Sequence, residues 1–211
     1  MNPLLENTIK TYDFTAANYA HDTDKLLPQE KLDDFIFFMR KPGDVLELGC
    51  GPGRDAEYFA SKGSLVVGVD LSEELLKIAR QRVPSEVFLN LDFSEPFPDS
   101  LPTGFNGVWA SASYVHIPRE KLEFSLRQIH DRLAPEGLFY MSVMEGQGTE
   151  IRVSKRYGDA PGKGEKFWQY FCPIDLLSTL REVGFDTFHY TTSPNKQSPN
   201  HPWIDFLARK R

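Results

Sequence analysis

Residues 45–55 read VLELGCGPGRD, a short apolar run that opens into three glycines and then into a helical stretch. No other segment restricts the fold as strongly. Four apolar-rich residues bounded by glycines form the pattern of a strand buried on both faces. Glycines then let the chain turn through backbone conformations that side chains disfavour. Further strands are expected at 65–70, 87–91, 107–110, 138–143, 187–191 and 203–208, with helical patterns between them. This alternation is the signature of an α/β fold whose sheet is mostly parallel and covered on both faces.

The helices carry their own end signals. Ser72 stands where an N-cap belongs, Glu73 and Glu74 favour the positive end of the following helix, and Leu75, Leu76, Ala79 and Val83 share one face. Pro173 and Gly184 bracket a second helix whose Leu176, Leu177, Leu180 and Val183 are expected to cover the sheet. A third runs from Pro118 to the turn APEG, and a fourth is expected at 55–62. Residues 2–39 read as a mostly helical extension ahead of the first strand. Residues 145–166 differ: they are polar, glycine-rich and carry five basic residues, and read as a loop too long for an ordinary connection, of the kind that is either functional or mobile.

With 211 residues, the chain is expected to fold as one domain: a helical cap at 1–40, a core at 43–144, a variable loop at 145–170 and a closing helix and strands at 171–211. Its net charge of −6 argues against a broad nucleic-acid or anionic-membrane surface, since such surfaces need clustered Lys and Arg. The two cysteines suggest neither a disulfide framework nor a metal site, so no metal is expected and a cytoplasmic setting fits. No stretch approaches the ~20 apolar residues of a membrane span.

The glycine loop is a poor match to a pyrophosphate site. In the dinucleotide fingerprint GxGxxG, counted from Gly49, the third glycine position is occupied by Arg54, and Pro52 lacks an N–H for the cradle. The Gly-Lys-Ser/Thr ending of a P-loop is absent as well. Glu47 adds a carboxylate beside the loop, which suits a ligand with an ammonium group and a ribose.

VLELGCGPGRD resembles the first motif of the class I S-adenosylmethionine (SAM)-dependent methyltransferases. VVGVDLS, NLDFSEPFP, FNGVWASASYVHIP and RLAPEGLFYMSV resemble the later motifs, in the right order, over about residues 12–144. APEG stands where the family more often has a double glycine. The resemblance implies a Rossmann-like three-layer sandwich with a seven-stranded sheet whose last strand is antiparallel. It implies SAM as cofactor, released as S-adenosylhomocysteine (SAH). Gly49, Gly51, Gly53 and Glu47 would line the cofactor at the loop, Asp70 would bind the ribose, and Asp92 and Phe93 the adenine. Leu71, Ala110, Ser111 and Tyr19 would complete the wall.

The acceptor is expected to be a small molecule, and an acidic one would suit the basic residues at 152–166. The small-molecule branch, including the tellurite-resistance and trans-aconitate methyltransferases, is the nearest in layout. The SASY stretch at 111–114 lacks the Asn-Pro-Pro-Tyr/Phe pattern of nucleobase enzymes, so no nucleic acid is favoured. Tyr12, Tyr114, Arg152, Arg156 and Tyr170 are the candidate acceptor contacts, and His116 is the candidate general base. Bland readings stand beside these: Tyr12 and Tyr19 as a core stripe, His116 as a packing residue and the basic run as a solvated face. A non-catalytic binding module of the same fold is the alternative function, with an RNA or protein methyltransferase behind it. Both a monomer and a homodimer remain open.

Overall fold

The computed structural model describes residues 3–40, 42–153, 164–196 and 198–211. Two helices, α1 (Pro3–Asp24) and α2 (Gln29–Met39), precede the apolar run Val45–Leu48, which forms β1 with all four residues buried. The chain then alternates through α3 (Arg54–Ser61), β2 (Val66–Asp70), α4 (Glu73–Arg82) and β3 (Val87–Asn90). It returns to the other side of β1 as β4 (Phe105–Ser111), followed by α5 (Arg119–Arg132) and β5 (Leu133–Met144). A hairpin of β6 (Thr149–Val153) and β7 (Glu165–Gln169) leads to α6 (Pro173–Val183), β8 (Phe185–Ser193) and β9 (Trp203–Lys210).

The main sheet has the order β3-β2-β1-β4-β5-β9-β8. Its β1–β2, β1–β4, β2–β3 and β4–β5 pairs are parallel, and β9 runs antiparallel to β5 and β8. This is the Rossmann-like sandwich with an antiparallel last strand that the motifs imply.

The helix ends follow their local chemistry. The Ser72 side chain accepts a hydrogen bond from the Leu75 amide, and Gly184 closes α6 at φ 110°. Helix α3 begins one residue earlier than expected, at Arg54. On one face of the sheet, Leu122, Leu126 and Ile129 of α5 and Leu176, Leu180 and Val183 of α6 pack into a continuous apolar cluster. Phe35 of α2 and Phe59 of α3 close the other face around Trp109 of β4. Trp109 stacks on Tyr140 at 3.8 Å and donates its indole N–H to Asp55 at 2.9 Å. Tyr140 donates to Asp205, which also receives Lys31 at 2.7 Å, so the aromatic pair is flanked by satisfied buried carboxylates.

Two local features depart from the sequence reading. Residues 149–153 and 165–169, expected within a loop, form the β6–β7 hairpin, because a strand placed beneath α1 need not show a simple polar alternation. The residues APEG, expected to form a turn, instead lie at the start of β5, where Glu136 takes φ 60°, the left-handed region in which a side chain is strained by about 1–2 kcal/mol. Glu136→Gly is therefore expected to stabilise the protein by up to about 1 kcal/mol, after the entropy cost of glycine is subtracted. Urea unfolding of the two proteins checks this, and a destabilised variant would contradict it.

Candidate functional site

The strands on either side of the β1–β4 boundary send their chains to opposite faces, β1 to α3 and β4 to α5, which opens a crevice at their carboxyl ends. Glycine geometry keeps that crevice clear. Gly49 lies at φ 67°, and a Cβ there would come within 2.5 Å of the Ser113 Cβ. Gly53, at φ 76°, starts α3 so close to α4 that a Cβ would meet Ala79 at 3.0 Å. Gly53 thus permits the tight helix packing, although the third-glycine position of the dinucleotide fingerprint falls on Arg54.

The resulting cleft, with its open mouth, holds about 660 Å³ of empty space. Gly49, Gly51, Asp70 and Ser111 form its floor, and Leu71, Leu91 and Phe93 an apolar slot. Asp70 ends β2 with Oδ2 accepting the Gly51 N–H at 2.8 Å and Oδ1 accepting the Ser72 N–H at 2.9 Å. Desolvation raises its pKa, while these amides and that of Leu71 act against the rise. The carboxylate retains acceptor capacity beyond these amides.

Helix α1 roofs the cleft with Leu5, Thr8, Ile9, Tyr12 and Tyr19. It is held there on three sides. Thr8 accepts the Phe167 N–H at 2.9 Å, and Thr11 both donates to the Glu165 carbonyl and accepts the Gly164 N–H, so α1 satisfies the backbone edge of β7. Asp13 accepts the Ser72 hydroxyl at 2.6 Å, at the start of α4. Arg54 donates to the carbonyls of Thr23 at the end of α1 and of Leu26 just beyond it, while bonded to Asp55 at 2.6 Å.

His116 lies in a 3-10 turn after β4 (Tyr114–His116) and lines the cleft. Its Nε2 is 2.9 Å from the Tyr12 hydroxyl and its Nδ1 is 2.6 Å from the Phe167 carbonyl oxygen. Burial, with a contribution from Lys166, lowers the imidazole pKa to about 4. Lys166 is itself buried, with Nζ 3.4 Å from the Tyr12 ring centroid and 5.2 Å from that of Tyr19, and desolvation lowers its pKa to about 7.

The structure gathers Tyr12, Tyr19, Gly49, Gly51, Asp70, Leu71, Phe93, Ser111 and His116 around one cleft. Other sequence candidates stand apart from its lining. Glu47 is buried below the loop, raised well above the ordinary carboxylate range by desolvation and then by Asp55, and its Oε2 lacks a hydrogen-bond partner among the described residues. Asp92 accepts the Ser94 amide and hydroxyl, an Asx turn after β3. Ala110 is in the core, as is Tyr114, whose hydroxyl pairs with Ser125 at 2.8 Å.

Arg152 is engaged by Glu150 at 2.8 Å and by Ser198 and Tyr170, while Tyr170 stacks on His201 at 3.9 Å. Arg156 lies outside the described residues. The sequence reading missed Leu5, Thr8 and Ile9. Their spacing with Tyr12, on one helix face, was the available signal.

A family profile described as "Methyltransferase domain" matches residues 45–137. A Bacillus subtilis protein named as a methyltransferase, YqeM, is 30% identical over 182 residues, spanning 79% of this chain and 71% of that protein. The chain belongs to the class I SAM-dependent methyltransferases. A trans-aconitate 2-methyltransferase of Rhodopseudomonas palustris (strain BisB18) is 34% identical over 133 residues, 62% of this chain and 47% of that one. The solved DhpI–SAH complex superposes with a TM-score of 0.74 at 18% identity, covering 100% of this chain and 98% of that one, a likeness of fold.

The residues present fit the methyltransferase cofactor. An acidic side chain at the end of β2 lines the cleft together with the apolar Leu71, Leu91 and Phe93, and the loop leading from β1 carries no side chain at Gly49 or Gly51.

The His116 environment carries a measurable consequence. Between its ordinary pKa near 6.5 and its folded value of about 4, the unfolded chain binds a proton that the native protein does not. Stability is thus expected to fall as pH drops through that window, by up to about 3 kcal/mol. His116→Gln should flatten this dependence in urea unfolding at pH 4 to 6.5, and an unchanged slope would contradict the assignment.

Proposed function

We propose that this methyltransferase transfers a methyl group from SAM to a small-molecule acceptor held beneath α1. The observation that carries this reading is the single roofed cleft in which Asp70, the glycine loop and the Leu71–Leu91–Phe93 slot meet Tyr12 and His116. Asp70 would bind the ribose hydroxyls with its remaining acceptor capacity, and the slot would hold the adenine. Gly49 and Gly51 would let the methionine portion lie against the backbone.

When bound, SAM supplies a methyl group activated by an adjacent sulfonium. The protein's own contribution is alignment and exclusion of water. Tyr12, Tyr19 and the apolar residues of α1 would close over the reacting atoms. The α1 residues narrow the open cleft from one side, which suits a metabolite-sized acceptor more than a polymer. The relationship to trans-aconitate 2-methyltransferase supports a small acceptor as well. An acidic acceptor gripped by Arg152 gains no support, because Glu150 already neutralises that guanidinium.

Calorimetry with SAM and SAH is expected to show binding, and binding of neither would refute the reading. Asp70→Ala should weaken SAH affinity by about 10- to 150-fold, the equivalent of 1.5–3 kcal/mol for hydrogen bonds to a charged group. Unchanged affinity would remove Asp70 from the site.

A further inference from the structure

His116 has both ring nitrogens engaged, and the identity of the partners assigns the proton. The Phe167 carbonyl oxygen, 2.6 Å from Nδ1, can only accept, so Nδ1 carries the hydrogen. Nε2 then bears the lone pair, and the Tyr12 hydroxyl donates into it at 2.9 Å. An imidazole held this way cannot take a proton directly from an acceptor, because Tyr12 occupies the basic nitrogen. Tyr12 itself lines the cleft.

We propose that Tyr12 is the catalytic residue that receives the acceptor's proton while passing its own to His116, and that the acceptor is therefore a neutral hydroxyl or N–H nucleophile and not a carboxylate. This rests on the methyltransferase reading above. In the step, the acceptor's O–H or N–H bond breaks and its proton bonds to the Tyr12 oxygen, as the Tyr12 proton bonds to Nε2. The acceptor's electron pair forms the new bond to the methyl carbon, and the pair of the broken carbon–sulfur bond stays on sulfur. The imidazolium later returns its proton to water.

The surroundings suit this relay. Lys166 from β7, with Nζ 3.4 Å from the Tyr12 ring centroid, favours in its protonated form any negative charge growing on the phenol during transfer. Tyr19 of α1 packs edge-on against Tyr12 at 5.1 Å, and Trp168 of β7 lies 4.7 Å from the imidazole. The Phe167 carbonyl and these groups face the pair among the described residues. Burial and the nearby Lys166 keep His116 neutral near pH 7, so its lone pair is available. A weak base suffices, because the acceptor's proton becomes far more acidic once the bond to the methyl carbon begins to form. A carboxylate would bring no proton to relay, and its charge would be buried against Leu5, Ile9 and Ile117.

Three measurements on the full chain test the proposal. Nitrogen-15 NMR of His116 without ligand should show a protonated Nδ1 and a bare Nε2, and the opposite tautomer would overturn it. Incubation of the protein with methyl-labelled SAM and a small-molecule cell extract should yield alkali-stable label, as in ethers and methylamines. Label released by alkali as methanol would identify a methyl ester, overturning the relay while leaving the methyltransferase reading intact. No transferred label would overturn both. Tyr12→Phe should lower kcat for that labelled product by about 100-fold while SAH affinity stays within about twofold. An unchanged kcat would exclude Tyr12 from proton transfer.

Discussion

The site depends on one close approach. The chain leaving β1 and the chain leaving β4 pass so near each other that Gly49 has no room for a side chain against Ser113. That contact sets the width of the crevice at the sheet's carboxyl edge, and the parallel pairing of Val45–Glu47 with Gly107–Trp109 fixes its depth. The neighbouring pairing of β1 with β2 brings Asp70 to the same edge, where the Gly51 amide holds its carboxylate. The shape of the cleft floor is thus a consequence of strand register.

A second set of interactions ties this floor to its roof. Asp55, at the start of α3, receives the Trp109 indole from the sheet and the Arg54 guanidinium, which extends to the last carbonyls of α1. The glycine loop, the core of the sheet and the covering helix are therefore linked by a buried polar chain. Such a chain is costly to break, because each member left alone would be a desolvated, unsatisfied group. At the other end of the roof, Thr8 and Thr11 complete the hydrogen bonding of β7. The helix and the hairpin consequently meet the cleft as one packed surface, with Tyr12 and Lys166 at their junction.

Much of this arrangement was legible in the residues. The alternation of apolar runs and helical patterns, the Ser72 cap and the Pro173–Gly184 bracket act over a few positions, so local chemistry is enough to reveal them. The motif order likewise indicated Gly49, Gly51, Asp70 and Phe93, which the strand edges bring together. Tyr114 and Tyr170 read as plausible acceptor contacts, yet burial turns Tyr114 toward Ser125 and packing turns Tyr170 toward His201. Lys166 read as part of a polar loop, whereas α1 and β7 enclose it.

The sequence alone determined the class of fold and the cofactor chemistry, because both are set by short-range patterns: buried strands, tight glycine turns and an acidic residue at a strand end. It could not determine which side chains meet His116 beneath α1. Tyr12 and His116 are 104 positions apart, and Phe167 is 51 beyond His116. Only the docking of α1 onto β7 brings these groups within hydrogen-bonding reach, and only that contact decides which imidazole nitrogen holds the proton.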